Sequence, residues 1–277
     1  MTDLPSLPAQ AHADPRRGKH GATKSSDRRA EETPGSRGMR KFVLAIGNAR
    51  SGSTLLGSVL DSHANVLCAN ESDESKVYWR GLTREAIIDG IRRNSANNTK
   101  SGRFSEGYHY AIETPHCGEV SIYADKIWNP ALLLLAGDRG LIERLAETMQ
   151  APVALVHCIR NPFDVIATMH KRSGATLEDR TRWYFMHCEA ALSLYERGEP
   201  ILDVRSETLI ADPRGTSAAM FAWLGQPTDA AHLDRIAAVV APSANRSRDK
   251  VDWPAPLIPR IERQIADYPF LAGYAFA

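Results

Sequence analysis

The sequence predicts an α/β fold, a mostly parallel sheet flanked by helices on both faces. Three observations carry this. Short apolar, β-branched runs recur at 41–47, 66–69, 121–124, 153–159 and 201–204. Helix-period segments separate them, at 54–63, 139–149 and about 176–197. A glycine-bounded loop closes the first run and opens the first helix. Runs that are apolar throughout, without alternation, fit strands buried on both faces, which is the condition of parallel strands. Strand alternating with helix then requires crossover connections over the sheet.

Residues 1–38 differ in composition from the rest. They are rich in Pro, Gly, Ser, Ala and both charges, with little large and apolar beyond Leu4 and Leu7. Such a segment cannot bury enough surface to offset its ordering entropy, so disorder is expected there and one domain over 39–277. Its PRRGK and DRR clusters leave open a basic tethering arm, beside a plain solvated tail or a start at Met39. From Lys41, KFVLAIG reads as a buried strand. After it, Leu55, Leu56, Val59 and Leu60 recur at helical spacing. In 176–197, Leu177, Tyr184, Cys188, Ala191, Leu192 and Tyr195 mark one face. Trp183, Tyr184, His157 and His187 read as packing residues. The polar stretch 95–110 (NSANNTKSGRFSEGYH) reads as a long surface loop able to cover a substrate.

The totals exclude some classes. The 277 residues are 43% hydrophobic and 24% charged, with a formal net charge of +1. That charge gives no reason to expect nucleic acid or an anionic membrane as partner. Apolar runs such as 131–137 fall far short of the roughly 20 residues of a membrane span. The N-terminus has no apolar signal core. Cys68, Cys117, Cys158 and Cys188 include no CxxC pair and read as buried thiols of a reducing compartment. A cytoplasmic location is expected, and no metal site.

The loop GNARSGST (47–54) is nearly a phosphate loop, so the fold is expected to be P-loop-like. Gly47 and Gly52 have the right spacing, yet Ser53 stands where a lysine should follow, and Arg50 brings a cation three positions earlier. At a strand-to-helix turn, backbone N–H groups and the helix dipole make an anion site. Ser51, Gly52, Ser53 and Thr54 are therefore candidate anion ligands, and the Arg50 guanidinium can bridge two phosphate oxygens.

With its neighbours, this loop resembles that of the sulfotransferases that use 3′-phosphoadenosine 5′-phosphosulfate (PAPS). RNPFDVIAT (160–168) is similar to that family's R-[DN]-P-x-D-x-x-x-[ST] signature, and SETLIADPRGT (206–216) resembles its YEDLVADPEGT segment, with Ser206 in place of the tyrosine. The resemblance spans residues 41–277 and is closest to the tyrosylprotein-sulfotransferase-like subgroup. There, RSGTT…LDAHPDVRCGEE is matched by RSGST…LDSHANVLCANE, and ERSTDQV by NRSRDKV (245–251). It implies that the first loop holds the phosphosulfate and that Arg160, Thr168 and Arg172 hold the 3′-phosphate. Ser243, Arg246, Ser247 and Lys250 would close over the nucleotide.

Sulfuryl transfer needs a base, positive charge on the departing phosphate, and in-line positioning. Arg50 and Lys126 are the candidate cations, since strand ends of a parallel sheet converge on one crevice. Many family members carry a histidine two residues after that lysine. Here the position is Trp128. The subgroup instead implies a glutamate after the second strand, matched by Glu71, with Asp73, Glu74 and His116 as alternatives. The implied acceptor is a hydroxyl of a small molecule, sugar or peptide. Two other readings stay open. A metal-dependent kinase would lack the loop lysine but have Asp125 for Mg²⁺, and a non-catalytic nucleotide-binding protein would bind without turnover.

Overall fold

A computed structural model describes residues 38–72, 81–105, 107–112, 119–241 and 243–277. Apart from Gly38, the expected disordered segment 1–38 lies outside them, as do Asp73, Glu74, His116 and Cys117. The chain begins with β1 (Lys41–Gly47), α1 (Ser53–Asp61) and β2 (Val66–Asn70). Then come α2 (Arg84–Ser101), β3 (Arg103–Ser105), β4 (Tyr108–Tyr110) and β5 (Ile122–Lys126). The middle consists of α3 (Asn129–Gly137), α4 (Leu141–Met149), β6 (Val153–Ile159), α5 (Pro162–Ser173) and α6 (Leu177–Glu196). The chain ends with β7 (Ile201–Arg205), α7 (Ser206–Ala211), α8 (Pro213–Leu224), α9 (Ala230–Val239) and α10 (Leu257–Ile265).

Five strands form one parallel sheet in the order β2-β5-β1-β6-β7, and β3-β4 is a separate antiparallel hairpin. The chain leaves β1 for the edge strand β2, returns through β5, and only then crosses β1 to reach β6. The loops after β1, β5 and β6 therefore open side by side. Within β1, Phe42, Leu44 and Ile46 join a core that includes buried residues of α2 to α6 and α10. Val43 and Ala45 point the other way, into a core shared with α1, α7, α8 and α9. Both faces are covered, as expected from unbroken apolar strands.

One expectation fails. Residues 95–101 are not loop but the last two turns of α2, and 103–110 is mostly hairpin. Apolar period alone could not reveal this, because the second half of α2 uses polar side chains to bond its neighbours. The Ser95 hydroxyl donates to Asp61 Oδ1 at 2.9 Å, and Asn94 Oδ1 accepts the Asn70 N–H at 2.8 Å. The apolar first half, Ile87, Ile88 and Ile91, is buried. Also, the apolar run 131–137 forms most of α3, and the helix expected from 139 starts at Leu141. Cys68, Cys158 and Cys188 are buried and free. Among the described residues no helix is long and apolar enough to cross a membrane.

Candidate active site

The loop after β1 is shaped by backbone conformations that side chains restrict. Gly47 has φ 146°, and a Cβ there would lie 2.5 Å from the Cys158 carbonyl oxygen of β6. Gly52 has φ 96°, and its missing Cβ leaves room for the Ser206 hydroxyl. That hydroxyl donates to the Ser51 carbonyl, which also accepts from Cys158 Sγ at 3.3 Å. Between the glycines, Arg50 holds φ 70°, a left-handed conformation uncommon for a side chain of its size. α1 begins without a side-chain cap, and its first helical bond runs from Leu56 N–H to Gly52 O at 3.1 Å. The amides of Ser53, Thr54 and Leu55 precede that bond, so the helix start offers donors to an anion.

β5 pairs with β1 and delivers Lys126 beside this loop. Lys126 is buried and its ammonium pairs with the Glu71 carboxylate, whose side chain is 42% exposed. Glu71 follows β2 at φ 52°, with its N–H bonded to the Lys126 carbonyl at 2.8 Å. Beneath them Asp125 is fully buried and accepts the Ser72 hydroxyl at 3.0 Å. Burial pushes the Asp125 carboxyl up to about 6.

The loop after β6 supplies a third cation. Arg160 donates to the Arg50 carbonyl at 3.1 Å and to the Asn245 carbonyl, joining the first loop to the segment 243–250. That segment ends in a 3₁₀ turn, Ser247–Lys250, fastened to the first turn of α5 through Asp164. Asp164 accepts the Arg248 N–H at 2.9 Å and Nη1 at 2.8 Å. Burial raises the Asp164 carboxyl above its usual range even so.

These elements enclose a cavity of about 320 Å³. Arg50, Gly52, Ser53, Thr54, Glu71, Lys126, Arg160 and Ser243 line it, so eight of the expected residues meet in one place. Others stand elsewhere. Ser51 is buried behind the loop. Thr168 spends its hydroxyl on the Asp164 carbonyl at 2.7 Å. Arg246 pairs with Asp249 at 2.8 Å, and Lys250 donates to Asn245 Oδ1 at 3.0 Å. Arg172, Thr168, Arg246, Ser247 and Lys250 are not among the lining residues. Among the described residues, no cluster of His, Cys, Asp and Glu is arranged to hold a metal ion.

The sequence reading missed several wall residues. Tyr108 and Tyr110 of the hairpin lie parallel, ring centres 6.1 Å apart, and line the cavity, as does Trp128, which is 42% exposed. The alternation Tyr-His-Tyr after Gly107 was a strand signal concealed within an apparent loop. Glu207 also lines the cavity, its carboxylate held by the Asn161 N–H and the Tyr274 hydroxyl, both at 2.8 Å. Arg248 carried no signal separating it from exposed Arg246, two positions earlier.

The sequence matches no family model, and no curated protein matches it. Its fold is similar to solved structures at low identity. The sulfotransferase domain from the Synechococcus PCC 7002 olefin synthase is 17% identical, with 79% of this chain and 82% of that one covered and a TM-score of 0.43. The sulfotransferase domain from the Curacin biosynthetic pathway is 15% identical, with 83% and 96% covered and a TM-score of 0.46. Sulfotransferase STF9 from Mycobacterium avium is 11% identical, with 83% and 76% covered and a TM-score of 0.47.

Proposed function

We propose that the chain is a PAPS-dependent O-sulfotransferase. The observation that carries this reading is the convergence of Arg50, Lys126 and Arg160 from three adjacent strand ends on one cavity, with Glu71 paired to Lys126. The motif resemblance of 47–54, 160–168 and 206–216 supports it independently of that geometry. The loop suits a phosphate, because the first amides of α1 lack helical partners and Gly47 and Gly52 let the loop pack closely against β6 and Ser206.

The co-substrate supplies an activated sulfuryl group. Glu71 takes the proton of the acceptor hydroxyl, and the acceptor oxygen forms its bond to sulfur as the bond from sulfur to the 5′-phosphate oxygen breaks. Negative charge grows on that phosphate, and Arg50, Lys126 and the first-turn amides of α1 stabilise it. Pairing with Lys126 holds the Glu71 carboxylate at the cavity wall. Arg160 and the start of the 243–250 segment, Ser243 to Asn245, grip the 3′-phosphate. The acceptor is a hydroxyl compound that enters past Trp128, Tyr108 and Tyr110.

A kinase reading finds less support. Ser53 occupies the place of the loop lysine, and Asp125, the acid such a reading needs, is bonded to Ser72 and is not among the cavity residues. Calorimetric titration with adenosine 3′,5′-bisphosphate and with adenosine 5′-monophosphate tests the proposal. The 3′-phosphate is expected to strengthen binding by tenfold or more, about 1.4 kcal/mol or greater. Equal affinities overturn it. Labelled sulfuryl transfer from PAPS into cell extract then identifies the acceptor.

A further inference from the structure

The structure assigns a role to two residues outside the cavity: we propose that the Ser72–Asp125 hydrogen bond is a positioning clamp that holds Glu71 against Lys126. The inference rests on reading Glu71 as the base.

Glu71 has a side chain and a φ of 52°, in the left-handed region. An L-residue there costs about 1–2 kcal/mol, so the conformation persists only where its surroundings fix it. Two anchors do so, one on each side. Before the side chain, the Glu71 N–H bonds the Lys126 carbonyl at 2.8 Å, extending the β2–β5 ladder one residue beyond the Asn70–Lys126 pair. After it, the Ser72 hydroxyl reaches Asp125 Oδ2 at 3.0 Å, and the Ser72 amide faces the same carboxylate. Both anchors are borne by β5, on consecutive residues, and one of these supplies the cation that Glu71 meets. The backbone turn and the ion pair are thus fixed by one dipeptide, Asp125-Lys126.

Packing alone does not account for Asp125. It is fully buried, and Oδ1 has no partner among the described residues. A buried, half-satisfied carboxylate is costly compared with an apolar residue of similar size. Charged or titratable groups that interact with it are Lys126 on β5, Arg103 on β3 and Cys68 on β2. Arg103 is committed elsewhere, to Asp61 at 3.1 Å and to the Cys68 carbonyl. Ser72 is the side chain that Asp125 holds, and Ser72 adjoins the proposed base.

Crystal structures and turnover of Ser72→Ala, with Asp125→Asn as the conservative counterpart, test the clamp. In Ser72→Ala, Glu71 is expected to leave positive φ and its carboxylate to move beyond about 4 Å from the Lys126 ammonium. In Asp125→Asn the amide oxygen still accepts the Ser72 hydroxyl, and Glu71 is expected to stay. Release of adenosine 3′,5′-bisphosphate from PAPS should slow about tenfold in Ser72→Ala, while affinity for the bisphosphate stays within about twofold. In a Glu71→Gln background the same substitution should add nothing, since it acts through Glu71.

An unmoved Glu71 in Ser72→Ala, or a further loss in the Glu71→Gln background, overturns the clamp. Should Ser72→Ala not fold, Ser72→Cys, with its weaker donor, is judged by the same criteria. The two readings fail separately. Wild-type turnover in Glu71→Gln defeats Glu71 as base, whereas the position of Glu71 in the crystal structures judges the clamp alone.

Discussion

Arg248 Nη1 lies 2.8 Å from Asp164 Oδ2, and both side chains are buried. Together with the Arg248 N–H bond to Oδ1, this ties the 3₁₀ turn 247–250 to the first turn of α5, four residues past Arg160. Breaking such a pair leaves one charge in the interior without its partner. Arg248→Ala is expected to cost about 3–5 kcal/mol, because Asp164 remains buried. For a domain of this size that lowers the melting temperature by about 10 °C, readable by calorimetry. Arg246→Ala, which removes an exposed pair, should cost under about 1 kcal/mol.

The two proposed halves of the site should separate in binding and turnover. Glu71→Gln is expected to lower turnover at least about 100-fold, with bisphosphate affinity changed less than about threefold. Arg160→Ala is expected to weaken the bisphosphate about tenfold or more. It should weaken the 5′-monophosphate much less. Calorimetry and steady-state kinetics on the two variants decide it, and equal loss of affinity in both contradicts the assignment.

The loop glycines should differ in their tolerance of a methyl group. At Gly47 the added Cβ meets a backbone carbonyl of β6, which cannot swing aside. At Gly52 it meets the Ser206 hydroxyl, which can rotate. Both pay for positive φ at about 1–2 kcal/mol. Gly47→Ala should be the more destabilising in denaturant titration, by about 1–3 kcal/mol. Gly52→Ala should fold and lose anion affinity.

Two buried groups should leave opposite marks on stability against pH. Asp125 is raised to about 6 by burial, so between about 4 and 6 the folded chain holds more protons than the unfolded one. Its contribution to stability is greatest below pH 4 and is lost as pH rises through 6. His232, beside Ser62 at 2.9 Å, is lowered to about 4 by burial. The folded chain therefore holds fewer protons there, and this contribution is lost as pH falls from 6.5 through 4. The wild type should be flatter over this window than either single variant. Asp125→Asn should lose stability on acidification, and His232→Gln should gain it. Chemical denaturation at pH 4.5 and pH 7 measures both.

The sheet was legible because its strands are short, β-branched and apolar on both faces. VALVHCI at 153–159 coincides with β6. The first loop was legible because glycine spacing reports a backbone requirement. α2 was not, since its last turns bond through Asn94 and Ser95 and present no apolar stripe. The hairpin followed it into the same error, and its tyrosines were lost from the cavity wall. At the site, residues at or just after a strand end, Arg50, Lys126 and Arg160, line one cavity. Those borne on the exposed charged stretch 245–250 were indistinguishable by type, although Arg248 is buried and Arg246 is not.

The β3–β4 hairpin belongs to no strand of the main sheet. It is inserted between β2 and β5, and one of its anchors is Arg103, which grips Asp61 on α1. Its second strand brings Tyr108 and Tyr110 to the wall of the cavity that Arg50, Lys126 and Arg160 also line. This part of the wall is in that sense a replaceable cassette. Exchanging 104–110 while keeping Arg103 would redraw the aromatic wall and leave the residues at the three strand ends unchanged.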